Sequence, residues 1–169
     1  MTLTIDSVGV IGGGAWGTAL AQTLRLAGRD VVLWARETET VEEINARHVN
    51  SIYLPGVALD HRLTATTSLA DVARCDAILM VAPAQHMRAT LKALSPHLAP
   101  GTPVALCSKG IERGTLKLMT EVLAEEAPHA SPAVLSGPSF ASDVAKGLPT
   151  AVTLACADRA VGETWMRSI

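Results

Sequence analysis

Several short stretches carry residues whose types and spacing could do chemistry. In VGVIGGGAWG, residues 8 to 17, glycines fall as Gly12-x-Gly14-x-x-Gly17, directly after an apolar run and directly before a segment of helical period. Each glycine serves a separate steric purpose, with a tight turn at Gly12, close approach of a pyrophosphate to the backbone at Gly14, and close helix–strand packing at Gly17. The free N–H groups and the positive end of the following helix complete an anion site, so the stretch reads as a dinucleotide-binding turn. Trp16 falls in the first helical turn. Its N–H can face a phosphate while its indole lies over the mouth of a cleft; packing against a neighbouring strand or loop would suit it equally.

A second stretch, DVVLWARETET, puts Ala35 and Arg36 at the end of the next apolar run. Dinucleotide folds that prefer NAD place an acidic residue there for the ribose 2′-hydroxyl. Arg36 could instead pair with a 2′-phosphate, which favours NADPH over NADH, unless it is only a solvated surface charge. Glu37 follows and could still touch a ribose, so the preference is graded. Two later loops also follow strand-like runs, Lys109-Gly110-Ile111-Glu112 after PVALCS and Gly137-Pro138-Ser139-Phe140-Ala141 after AVLS. Lys109 could set its charge against a phosphate or carbonyl oxygen, and Ser139 could bind a hydroxyl or an anion. Taken singly, a surface charge and a helix N-cap account for them as well. Val81-Ala82-Pro83 would wall the nicotinamide side of the same cleft, or Pro83 simply starts a helix.

These residues need elements to hold them. Strand-sized apolar runs near SVGVIG, DVVLWA, RLTAT, DAILMVA, PVALCS and AVLSG alternate with TALAQTLRLAG, TETVEEINARHV, AQHMRATLKALSPHL and GTLKLMTEVLAEEA, which repeat apolar residues at helical spacing. SFASDVAKG and DRAVGETWMRSI add helices around a last strand in PTAVTLACA, while NSIYLPGVALDHRL, rich in turn formers, reads as a surface loop. Alternating βα units joined by right-handed crossovers predict an α/β fold, a Rossmann-like doubly wound and mainly parallel sheet with helices on both faces. Ligands of such sheets bind beyond the carboxyl ends of the strands, where all the stretches above fall.

Composition removes other classes. With 49% apolar but only 3% aromatic residues in 169, the core must be aliphatic. A formal charge of -2 with no basic block or aromatic platform argues against nucleic acid as a partner. The apolar runs are too short to insert in a membrane, and MTLTIDS lacks the features of a signal peptide, so a cytoplasmic location is expected. Cys75, Cys107 and Cys156 are read as buried thiols, and His48, His61, His86, His97 and His129 show no ligand spacing, so no metal site is expected.

Together GGGAWGTALA, LWAR, YLPG, CSKGIE and SGPSFASDVAKGLPTAVTLA resemble the N-terminal half of the bacterial NAD(P)-dependent glycerol-3-phosphate dehydrogenases, from about Val8 to Ala157. KGIE followed by GPSFAxxVAxGxPTAV is the specific part of that likeness. It implies hydride transfer between a nicotinamide cofactor and the pair dihydroxyacetone phosphate and sn-glycerol 3-phosphate, feeding phospholipid synthesis. Beside Gly12, Gly14 and Gly17 of the glycine turn, it assigns cofactor contact to Ala15, Trp16, Arg36, Lys109 and Ala141, and substrate contact to Lys109, Gly137 and Ser139. Ala15 stands where many relatives have serine, so only its N–H is left to contribute. Tyr53, in YLPG, is a further cofactor candidate that loop packing explains as well. The resemblance makes residues 1–169 the dinucleotide-binding domain and puts the family's catalytic lysine, an aspartate and a phosphate-gripping Arg-Asn pair in a helical domain beyond Ile169. No catalytic residue is therefore expected in this chain, which alone should be inactive, and a homo-oligomer is expected of the full-length enzyme. A cofactor domain of a related two-domain hydroxyacid reductase and a stand-alone nicotinamide-binding sensor are the competing readings.

Overall fold

Aliphatic runs buried on both faces become strands, and segments apolar on one face become the helices that cover them. The computed structural model describes residues 4–169; Met1 to Leu3, where the MTLTIDS segment begins, lie outside the described residues. The first half runs β1 (Ser7–Ile11), α1 (Ala15–Leu26), β2 (Asp30–Trp34), α2 (Thr38–Arg47), β3 (Thr64–Thr66), α3 (Leu69–Val72) and β4 (Ala77–Met80). The second half runs α4 (Met87–Leu94), β5 (Pro103–Leu106), α5 (Met119–Glu126), β6 (Ser131–Ser136), α6 (Ala141–Ala145), β7 (Thr153–Cys156) and α7 (Arg159–Ser168). One sheet has the order β3-β2-β1-β4-β5-β6-β7, with every pair parallel except β6 and β7. This is the doubly wound, Rossmann-like order with an antiparallel strand added at one edge.

The pleat divides the core into two layers. Val8, Val10, Leu79 and Ala105 join Leu20 and Leu24 of α1, Ile44 of α2, Val144 of α6 and Trp165 of α7 on one side. Ile11, Ile78, Met80, Val104 and Leu106 join Val72 of α3, Met87 and Leu91 of α4 and Val122 of α5 on the other. The NSIYLPGVALDHRL segment is a loop, as expected, but it is pinned: Leu54, Val57 and Leu59 are buried in the first layer. Beneath it the buried Arg25 of α1 pairs with Asp30 at 2.9 Å and with Asp60 at 3.8 Å. No described helix is long and apolar enough to cross a membrane. Of the thiols, Cys107 is buried and Cys75 and Cys156 are half-buried; burial pushes Cys107 up to about 12 and Cys75 up to about 11, which keeps both protonated and unreactive near neutrality.

The structure corrects the expected elements in several places. The helix expected over GTLKLMTEVLAEEA starts only at Met119, because Gly114 (φ 86°) and Leu116 (φ 59°) are left-handed and Ile111 bridges back to Leu118. The last strand starts at Thr153 rather than Pro149, which lacks an N–H to pair. The four-residue α3, capped by the Ser68 hydroxyl accepting from Asp71 N–H, has no counterpart among the expected elements.

Candidate functional site

The glycine turn joins β1 to α1 at the carboxyl edge of the sheet, beside the end of β4. Between β1 and β4 the strand order reverses, and there the crossovers diverge and leave a crevice. Gly12 has φ 133°, and a Cβ on it would stand 3.1 Å from the Val81 carbonyl carbon. A Cβ on Gly17 would stand 1.8 Å from the Gly12 carbonyl oxygen, so only glycine lets α1 sit this close to the strand. At Gly13 the obstacle is Ala35, whose Cβ would lie 2.5 Å away. A Cβ on Gly14, by contrast, would meet nothing within 4 Å, so this peptide faces open space. Gly14 is the N-cap of α1, no side chain caps the helix, and its first turn holds no acid. The helix dipole and the orphan N–H groups of Ala15, Trp16 and Gly17 are thus left for a ligand of negative charge.

A cleft of about 500 Å³ opens over this turn and brings Gly12, Gly14, Arg36 and Tyr53 together, with Val81, Ala82 and Pro83 as the facing wall. Arg36 is exposed at the end of β2 and gives Nε and Nη2 hydrogens to Glu37 Oε1 at 3.1 and 2.9 Å. Its charge is therefore shared before any ligand arrives. Trp16 is half-buried against the first core layer, as is Ala141 at the start of α6. The packing role expected as one of two for Trp16 is what its indole performs.

Lys109, Gly137 and Ser139 lie beyond β5 and β6, outside the walls of that cleft. Lys109 Nζ donates to the Gly137 carbonyl at 3.3 Å, which joins the two loops. Ser139 is not the helix cap: Phe140 takes that position, and the Ser139 hydroxyl donates to the Ala151 carbonyl at 3.4 Å. A Cβ on Gly137 would stand 2.8 Å from that same carbonyl oxygen, so glycine is needed where the two segments cross.

The Lys109 loop is tied from the α4 side by residues the sequence did not single out. Gln85 donates to the Ile111 carbonyl at 2.9 Å and accepts from Arg113 N–H at 3.0 Å. Arg88 of α4 grips Glu112 through two hydrogen bonds of 2.8 Å and reaches Glu125 and Glu126 of α5. Those bonds hold the Glu112 carboxyl down to about 2, the Arg88 guanidinium contributing most and the Thr115 hydroxyl next. Asn50 and Thr18 are further omissions: both are buried, and both donate to the Gly13 carbonyl. A lone asparagine among turn formers and an arginine at one helical position carry no motif; only an ordered loop so far from its partner would have flagged them.

Known proteins resemble this chain in sequence and in fold. The family model described as NAD-dependent glycerol-3-phosphate dehydrogenase N-terminus matches residues 7–162. The chain belongs to that family. It is 59% identical over all 169 residues to a glycerol-3-phosphate dehydrogenase [NAD(P)+] of Parvibaculum lavamentivorans, of which it covers 51%. A protein of the same name from Paramagnetospirillum magneticum is 60% identical over 165 residues, 98% of this chain and 60% of that one. The crystal structure of glycerol-3-phosphate dehydrogenase from Coxiella burnetii superposes with a TM-score of 0.91 at 34% identity, over 97% of this chain and 50% of that chain. The chain thus spans about half the length of the first of these curated relatives, 51% of it.

Glu112 gives the site a pH signature. Its carboxyl is held below the ordinary value of 4.5, so its contribution to stability is complete above about pH 4.5 and is lost as pH falls toward 2. Replacing Arg88 with methionine should return Glu112 toward 4.5 and open a stability gap at pH 7 that narrows across the same window. Denaturant titrations of both proteins over a pH series check this; a gap that stays constant down to pH 2 would contradict it.

Proposed function

We propose that this chain is the dinucleotide-binding domain of a glycerol-3-phosphate dehydrogenase and binds NADPH in preference to NADH. The observation that carries the reading is the meeting, in one cleft, of the open Gly14 peptide, the uncapped start of α1 and Arg36. In this reading the pyrophosphate rests on Gly14, Ala15 and Trp16, with Gly12 and Gly17 making the room. Arg36 takes the 2′-phosphate, and Tyr53 closes the adenosine side. Glu37 competes with that phosphate for Arg36 and can accept from a ribose 2′-hydroxyl, which leaves NADH a workable second cofactor.

A nicotinamide cofactor bound there supplies hydride chemistry. The chain's own part is to place it and to hold the substrate end. Lys109, with Gly137 and Ser139, orients dihydroxyacetone phosphate or sn-glycerol 3-phosphate, and Ala141 borders the cofactor. Lys109 polarises bound ligand through its charge and is assigned no proton transfer, a step the family resemblance gives to a lysine outside residues 1–169. The same likeness supports a part in the supply of phospholipid precursors.

Two measurements bear on these assignments. Arg36→Glu should weaken NADPH by roughly 1.5–3 kcal/mol, the scale of a lost charged hydrogen bond, and NADH far less. Calorimetric titration with both cofactors checks it, and equal losses would reject the assignment of Arg36. In the full-length protein, Lys109→Ala should lower kcat/KM for NADPH-dependent reduction of dihydroxyacetone phosphate by about a hundredfold or more. Steady-state kinetics at the level of the parent protein would reject the role of Lys109.

A further inference from the structure

We propose that Asn50 is a positioning residue: by holding the Gly13 carbonyl inward it aims the Gly14 N–H into the cleft, and so presents the pyrophosphate donor. The inference rests on the reading of the cleft as a dinucleotide site. Asn50 is 1% exposed, yet it lies in the connection between α2 and β3, far along the chain from the turn it touches. Its amide donates to the Gly13 carbonyl at 2.9 Å and to the Thr18 hydroxyl at 2.8 Å. Its Oδ1 accepts from Tyr53 N–H at 3.2 Å.

The partners settle which way the amide faces. A carbonyl can only accept and a backbone N–H can only donate, so the nitrogen must face Gly13 and the oxygen Tyr53. Thr18, itself buried, then accepts from Asn50 and passes its own hydrogen to Gly13 at 3.4 Å. Two donors converge on one carbonyl.

The consequence comes from the planarity of the peptide. No cis bond occurs among the described residues, so the N–H of Gly14 points opposite to the C=O of Gly13. A carbonyl drawn into the interior therefore forces the N–H outward, where a Cβ on residue 14 would meet nothing within 4 Å. Without that pull, a glycine pair is the backbone least able to hold one orientation, because neither residue has a Cβ to restrict it. The same residue holds the neighbouring wall. Leu54 N–H closes a turn on the Asn50 carbonyl at 2.9 Å, Leu54 is buried, and Tyr53 between them lines the cleft. That turn is made by the Asn50 backbone, so cutting the side chain back to Ala leaves it in place.

The test compares ligands with and without a pyrophosphate in Asn50→Ala and in the parent protein. NADPH and ADP-ribose contain the pyrophosphate; adenosine 2′-monophosphate engages Arg36 but lacks it. Asn50→Ala should bind the first two about tenfold or more weakly, the scale of a lost hydrogen bond to a charged group, and adenosine 2′-monophosphate within about threefold of the parent. An unchanged NADPH affinity, or equal losses for all three ligands, would overturn the inference while leaving the cofactor reading intact. A folded parent protein that binds none of the three would overturn both. If Asn50→Ala does not fold, Thr18→Val keeps the shape and removes the hydroxyl between Asn50 and Gly13. It should show the same selective loss at smaller size, and an NADPH affinity equal to the parent's would overturn the inference.

Discussion

The Gly12 carbonyl oxygen lies 1.8 Å from where a Cβ on residue 17 would stand, and much of the site follows from that contact. It brings the first turn of α1 against the end of β1, so the start of the helix faces outward over the carboxyl edge of the sheet instead of into the core. A side chain at residue 17 would have to push the helix off the strand, because what it would strike is backbone. The same closeness leaves the Gly14 peptide at the surface with no cap of its own. A helix start that is uncapped, free of acids and fixed in place is a standing demand for an anion.

Around that contact the structure holds its two loop regions by side chains that reach across the chain. Asn50 and Thr18 lock the glycine turn from beneath, while Arg25 and the buried leucines keep the long loop on which Asn50 depends. On the far side of the crevice Gln85 and Arg88 hold the segment that follows Lys109, and Lys109 itself reaches the Gly137 carbonyl. The glycine turn and the Lys109 loop are therefore held by different side chains. Arg36 is the exception: among the described residues it pairs with its half-buried neighbour Glu37, and its own side chain is exposed, so it can turn toward a ligand.

What could be read from the sequence was whatever is set by residues close in the chain. The glycine spacing, the strand before it and the helix after it are local, and Arg36 is placed by the end of a clearly apolar strand. The fold class followed from the alternation of periods. The start of α5 was misplaced because Glu112, pulled by Arg88, closes a turn that overrides a helical pattern, and residue type alone does not announce a left-handed Leu116. α3 is not legible in the sequence, since four residues are too few to show a period. Asn50, Thr18 and Arg88 were illegible for a shared reason: each acts on a partner brought near only by the finished fold. Ser139 reads as a helix cap from its place in the sequence, but α6 begins two residues later, at Ala141, and its hydroxyl crosses to Ala151 instead.

The measurement that bears most directly on the glycine turn is a titration of the isotopically labelled protein with NADPH, followed by its backbone amide resonances. A pyrophosphate seated on the start of α1 should move the amides of Gly14, Ala15 and Trp16 together, with one saturation curve shared by the Arg36 side-chain resonance. Saturable binding that leaves those amides unmoved, or no saturable shift anywhere in a folded sample, would contradict a dinucleotide site at this turn.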